Sequence, residues 1–137
     1  MHKAKDIMTR DVISVTKDTP VIEVMKLMEE HDITGLPVVE EDMTLVGIVS
    51  EKDLLKLVHP WRGLENKVVS DFMTQPAIHF DKNENILEVF DCLAENSFRR
   101  VPVTSEGKLV GIISRPEVIK YILKLREKEI SAGRVLR

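Results

Sequence analysis

Apolar residues follow two spacings along the chain, and the spacings alternate. Val21, Val24, Met25 and Met28 recur at helical intervals. Thr19 before them is placed as an N-cap, with Pro20 at the first helical position. Leu36 to Val39 and Leu45 to Val49 are short apolar runs flanking the polar turn Glu40-Glu41-Asp42-Met43-Thr44, which predicts a β-hairpin. A short strand is expected near Val12 to Val15, and a second helix from Ser50. The predicted order is β-α-β-β-α.

The second half of the chain repeats this order. A strand is expected near Ala77 to Phe80, and Ile86, Val89, Phe90 and Leu93 mark a helix. Val101 to Val103 with Leu109 to Ile113 form a hairpin, and Ser114 opens a last helix. The residues themselves also recur. Asp6-Ile7-Met8-Thr9 returns 65 residues later as Asp71-Phe72-Met73-Thr74, and Pro37-Val38 returns at the same offset as Pro102-Val103. Leu45-Val46-Gly47-Ile48-Val49-Ser50 returns as Leu109-Val110-Gly111-Ile112-Ile113-Ser114, 64 residues on. One residue lost between conserved blocks predicts a shorter turn, Ser105-Glu106-Gly107-Lys108, in the second hairpin.

These readings predict an α+β fold of tandem β-α-β-β-α repeats, packed sheet to sheet with pseudo-two-fold symmetry, because one unit is too small to bury an adequate core alone. The expected divisions are repeat one at 1–58, a linker at 59–66, repeat two at 67–122 and a helical tail at 123–137. The linker is read from His59-Pro60-Trp61-Arg62-Gly63, where proline and glycine break the preceding helix.

Composition narrows the function classes. A net charge of −3 offers no general attraction to nucleic acid, and no apolar run is long enough to span a bilayer. The start of the chain shows no apolar stretch of signal-peptide type, so a soluble, cytoplasmic protein is expected. The only cysteine, Cys92, reads as a small core residue. His2, His31, His59 and His79 are scattered, and no phosphate loop, metal-spaced cluster or nucleophile elbow is present. Catalysis is not expected, nor is an obligatory cofactor.

Three repeated features point to a ligand. Ser50-Glu51-Lys52-Asp53 and Ser114-Arg115-Pro116-Glu117 each start a helix after a strand. The spacing fits a capping box; in Asp53 the shorter acid fits it less well, and its carboxylate also suits two vicinal hydroxyls, as on ribose. Such a helix start favours a nearby anion. Pro37 and Pro102 interrupt strand-like runs, which predicts a sheet edge or a bulge; an interrupted edge leaves free backbone groups able to read a flat base. Arg99 and Arg100 offer charge for phosphate, whereas repeat one has Thr34-Gly35 at the matching positions.

Together, Asp-Ile-Met-Thr, Ile-Thr-Gly-Leu-Pro-Val-Val and Leu-Val-Gly-Ile-Val-Ser-Glu-Lys-Asp-Leu resemble the CBS (cystathionine β-synthase) domain, and two copies resemble a Bateman module over residues 4 to 122. The resemblance implies a regulatory module that binds adenine nucleotides (AMP, ADP or ATP) in clefts between repeats and tunes an unknown effector protein. It places Met73, Ala77, Ile78, Phe98 and Arg99 with Ile48, Ser50 and Asp53 in a preferred cleft, Asp53 on ribose and Ser50 or Thr34 near phosphate. A second cleft would join Met8, Ile13, Ile33 and Thr34 with Ile112, Ser114 and Glu117, with Arg99 and Arg100 near phosphate. Glu117 departs from the family's ribose-binding Asp, which leaves it between ribose binding and simple capping. S-adenosylmethionine and NAD are alternative ligands. A nucleic-acid- or protein-interaction module is the alternative class. The tail from Lys120 to Ile130, with apolar Ile119, Ile122, Leu123 and Leu125, reads as a long helix and a candidate homodimer contact.

Overall fold

The computed structural model describes residues 2–56 and 63–136. Half of the expected linker, His59 to Arg62, lies outside the described residues. A short helix α1 (Ala4–Ile7) precedes α2 (Val21–His31), the hairpin β1 (Gly35–Val39) and β2 (Leu45–Ser50), and α3 (Glu51–Leu55). Repeat two follows with β3 (Phe80–Asp81), α4 (Ile86–Glu95), β4 (Arg100–Ser105), β5 (Lys108–Ser114) and α5 (Arg115–Ser131).

Both hairpins are antiparallel, and each register slips by one residue, after Val38 and after Val103. The shorter second turn is real: Glu106 and Gly107 both take positive φ, 52° and 81°, as a tight hairpin turn requires. The first strands are slighter than expected. Val15 makes a single parallel bridge to Val38, and only Phe80–Asp81 joins β4. The start of α2 also differs. Thr19 uses its hydroxyl to accept the Thr16 N–H at 3.0 Å, so Pro20 occupies the capping position without a side-chain cap. Asn85 does cap α4, accepting from the Leu87 N–H at 2.9 Å.

Pro102 corrects the sheet-edge expectation, whereas Pro37 lies in β1, an edge strand of a two-stranded sheet that Val15 joins by one bridge. Both are fully buried, and β4 is the central strand of its sheet. Their register partners explain why. Pro37 lies opposite Ile48, and Ile48 exchanges both of its backbone bonds with Thr74 on its other side. Pro102 lies opposite Ile112, which does the same with Thr9. Each proline therefore sits in a non-hydrogen-bonded pair, where the hairpin asks for no donor.

Those same bridges show how the repeats are joined. Thr9 opens repeat one but pairs with β5 of repeat two, while Thr74 opens repeat two but pairs with β2 of repeat one. The apolar core forms two clusters that follow this exchange. Val69 and Phe72 complete the cluster of Val21, Val24, Leu36, Val38 and Val49. Ala4 completes that of Val89, Leu93, Val101, Val103 and Ile113. Each leader thus fills the other repeat's core, so neither unit closes its apolar interior by itself. The hairpin turns add a further tie, with Leu45 N–H donating to Gly107 O and Leu109 N–H to Met43 O.

Two glycines are required by this exchange. A Cβ on Gly47 would lie 2.7 Å from Thr74 O, and one on Gly111 would lie 2.5 Å from Met8 Sδ. The leaders cross where β2 and β5 carry no side chain.

Candidate functional site

Leader exchange brings Thr74 beside the start of α3. Ser50 caps α3 in a reciprocal box: Asp53 N–H donates to Ser50 Oγ at 3.3 Å, and Ser50 N–H donates to Asp53 Oδ2 at 2.9 Å. Ser50 Oγ also donates to Oδ2 at 3.0 Å, and Thr74 Oγ1 donates to Oδ1 at 3.1 Å. Asp53 therefore does cap its helix, contrary to the expectation that its short side chain argues against the box. Three bonds hold its carboxylate in place, and Oδ1, which accepts only one of them, keeps lone-pair capacity for a further donor.

This carboxylate lines a cavity of about 400 Å³ between the repeats. Repeat one supplies Thr34, Gly35, Ile48, Ser50, Glu51, Lys52 and Asp53. Facing them, repeat two supplies an apolar wall of Pro76, Ala77, Ile78, Phe98 and Val101, together with Arg99 and Arg100. Lys52 Nζ reaches Ser97 Oγ at 3.4 Å and joins α3 to the segment before β4. Lys52, Arg99 and Arg100 thus share one largely apolar slot with the carboxylates of Glu51 and Asp53. The volume and the mix of an apolar wall with a few fixed polar groups suit a small planar ligand.

Of the residues expected in the preferred cleft, the cavity gathers Ile48, Ser50, Asp53, Ala77, Ile78, Phe98, Arg99 and Thr34. Met73 stays outside the lining and packs on the first core, its Sδ 3.4 Å from the Cβ position of Gly47. Thr74 and Lys52 were not singled out from sequence. Thr74 carried a signal, since it repeats Thr9 at the conserved offset; Lys52 carried none.

The second set is distributed differently. Ile13 and Ile33 pack against the first core, and Met8 against the second. Ile112 is buried and bridged to Thr9. Thr34, Arg99 and Arg100 line the first cavity. Glu117 repeats the Asp53 scheme: Ser114 N–H and Oγ donate to Oε1 at 3.1 and 2.7 Å, and Thr9 Oγ1 donates to Oε2. Glu117 thus caps α5 as Asp53 caps α3.

The helix starts offer less to an anion than expected. Glu51 N–H donates to Thr34 O at 2.9 Å, and Arg115 N–H donates to Arg99 O at 3.1 Å. Positive charge comes from side chains instead. Burial and neighbouring Arg99 push the Arg100 guanidinium below its ordinary value, against the opposing pull of Glu117 and Asp32.

Among the described residues no group of three acidic, histidine or cysteine side chains is placed to hold a metal, and no helix is long and apolar enough to cross a membrane. Cys92 is half-buried on α4, where burial and Glu95 push its thiol pKa up.

Comparison with known proteins agrees with this architecture. The CBSX2 structure solved in complex with AMP is 34% identical, with a TM-score of 0.81 over 92% of this chain and 99% of that one. The CBS domain pair of MJ0100, solved in complex with 5′-methylthioadenosine and S-adenosyl-L-methionine, is 25% identical, with a TM-score of 0.73 over 88% of this chain and 99% of that one. MJ1225 of Methanocaldococcus jannaschii is 30% identical over 118 residues, covering 86% of this chain but 42% of that longer protein. The CBS domain family model matches twice, at residues 4–60 and 69–124, and the chain belongs to the CBS domain family as a pair of repeats.

Proposed function

We propose that this CBS pair is a regulatory module, not an enzyme, and that it binds an adenine nucleotide in the Asp53 cavity. One observation carries the reading. A pre-oriented carboxylate on repeat one faces an apolar slot walled by repeat two. Asp53 accepts from the ribose hydroxyls, and the adenine ring lies between Ile48, Ala77, Ile78 and Phe98. Lys52, Arg99 and Arg100 face the phosphate, which favours AMP, ADP or ATP over the cationic S-adenosylmethionine. The relatives with bound ligands support the class, since AMP, methylthioadenosine and S-adenosylmethionine share the adenosine group. None of the described lining residues is a histidine or cysteine.

A ligand that touches both repeats biases their relative arrangement only if it binds one arrangement better. That bias is the signal passed to an effector protein. Ile119 and Leu123, 59% and 58% exposed on α5, support pairing of two chains through this helix; sedimentation at the mass of a monomer would remove the homodimer.

Calorimetric titration with AMP, ADP, ATP, S-adenosylmethionine and NAD tests the ligand assignment. Asp53→Ala is expected to weaken AMP and ATP by at least about tenfold, the loss of a charge-assisted hydrogen bond in a sheltered slot. Unchanged affinity in Asp53→Ala removes the ribose role. Failure of the wild-type chain to bind any adenosine compound leaves the pair a protein-interaction module.

A further inference from the structure

The long helix before each hairpin ends differently in the two repeats. α2 closes on backbone alone: Asp32 turns left-handed at φ 51°, and the Asp32 and Ile33 N–H groups both donate to Met28 O. α4 ends without that turn. Asn96, directly after it, is extended at φ −119° and ψ 163°, so the last carbonyls of the helix need donors from elsewhere. Side chains supply them. Asn96 Nδ2 donates to Cys92 O at 2.8 Å. One guanidinium nitrogen of Arg115 donates to Leu93 O at 3.3 Å and to Asn96 O at 2.7 Å. A cation is also the favoured charge at a helix C-terminus.

Arg115 is the first residue of α5, and its own N–H donates to Arg99 O at 3.1 Å. One residue thus holds both ends of the segment from Asn96 to Arg99. The guanidinium takes the carbonyl at one end, and the backbone N–H takes the carbonyl at the other. Within that segment Ser97, Phe98 and Arg99 line the Asp53 cavity, whereas Arg115 lies outside the lining. Glu51 holds the matching position in repeat one. Its N–H makes the equivalent bond, to Thr34 O at 2.9 Å. Its carboxylate only accepts hydrogen bonds and cannot bond a carbonyl. The backbone tie is therefore common to both repeats, and the guanidinium tie belongs to repeat two.

We propose that Arg115 is a positioning residue for the nucleotide cavity: it fixes the Ser97–Arg99 wall to the first turn of α5, so that a ligand seated on the wall is felt at that helix. This role rests on the adenine-nucleotide reading above and names how occupancy of the site leaves it. Phe98 and Arg99 face the ligand in that reading, and both hang on the segment whose ends Arg115 holds. A wall fixed before the ligand arrives costs less to order on binding. By linkage, the ligand returns the same free energy to the tie. Ile119 and Leu123, exposed about one and two turns further along α5, lie on the helix that receives this change.

AMP titration of Arg115→Ala and Arg115→Lys tests the role, with circular dichroism reporting the fold. Arg115→Ala is expected to bind AMP at least about fivefold more weakly than the wild type, the effect of losing hydrogen bonds from a charged group. Arg115→Lys keeps a cation and a donor at the end of α4, and is expected to recover part of that loss. Lys124→Ala removes one charge from α5 beyond the tie, and is expected to bind AMP as the wild type does. In the wild type, AMP is expected to slow hydrogen exchange of the Arg115 amide by at least about threefold. A merely structural arginine would lower the denaturation midpoint of Arg115→Ala and leave its AMP affinity unchanged, and that result overturns the role. A loss in Arg115→Lys as deep as in Arg115→Ala overturns it too, as does an equal loss in Lys124→Ala. Where Arg115→Ala does not fold, Arg115→Lys and the wild-type amide carry the test. A wild-type chain that binds AMP without slowing the Arg115 amide overturns this role and leaves the Asp53 site standing. A wild-type chain that binds no adenosine compound overturns both.

Discussion

The Asp53 and Glu117 ends of the molecule use one hydrogen-bond scheme. In each, a strand-end serine caps a helix, an acid three residues on returns the bond, and a threonine from the opposite repeat steadies that acid. Around the scheme the two ends diverge. The Asp53 end opens into a cavity with Gly35 at its edge, and the Glu117 end has Arg100 beside it. The difference separates two demands on a duplicated unit. Capping and leader exchange are needed by each copy to fold, so both copies keep them. Space beside the carboxylate is needed only by a ligand, so the copies are free to differ there, with Gly35 in one and Arg100 in the other.

Glycine substitution probes the shared part and gives the largest expected effect. An added Cβ at Gly47 would strike the backbone oxygen of Thr74, which is fixed by its own ladder bonds to Ile48. At Gly111 it would strike the side chain of Met8, whose rotatable bonds can move aside. Gly47→Ala is expected to lower stability by about 2–3 kcal/mol, and Gly111→Ala by about 1 kcal/mol. Urea denaturation of the two variants measures the gap. Equal losses would show that Met8 is as tightly held as the backbone, and the reverse order would break the account of leader exchange.

Much of this comparison was legible before any coordinates. Short-range signals gave the hairpins, the helical stripe of Val21, Val24 and Met28, and the one-residue difference between turns. The Asp53 cleft was also legible, because the family resemblance fixes which segments face each other. Pairings between distant segments were not. Nothing local to Thr74 says that it pairs with Ile48, and nothing local to Ala4 says that it fills the core of repeat two. The edge expectation for Pro102 failed for a related reason. A sequence shows that a donor is missing at Pro102, but whether the ladder needs that donor depends on register, which alternates residue by residue. The expectation for Asp53 failed differently: capping and ligand binding were set against each other, and the geometry lets one carboxylate do both.

The leader threonines give the smallest and most discriminating contrast. Thr74 Oγ1 donates to Asp53 Oδ1, and Thr9 Oγ1 donates to Glu117 Oε2. Replacing either with valine keeps the branched shape and removes the donor. Each variant is expected to lose about 1 kcal/mol of stability, the ordinary worth of a hydrogen bond to a charged group near the surface. Their effects on ligand should part. Without Thr74, Asp53 is oriented by Ser50 alone and wanders from the position that receives a ribose. AMP affinity in Thr74→Val should fall by about two- to fivefold, equivalent to roughly 0.5–1 kcal/mol. Thr9 steadies Glu117, which lies outside the Asp53 cavity, so Thr9→Val should leave AMP affinity there where it was. Equal loss of affinity in both variants would mean that the two acids contribute alike to ligand binding. Tighter binding in Thr74→Val would mean that the threonine competes with ribose for Asp53 instead of aiming it.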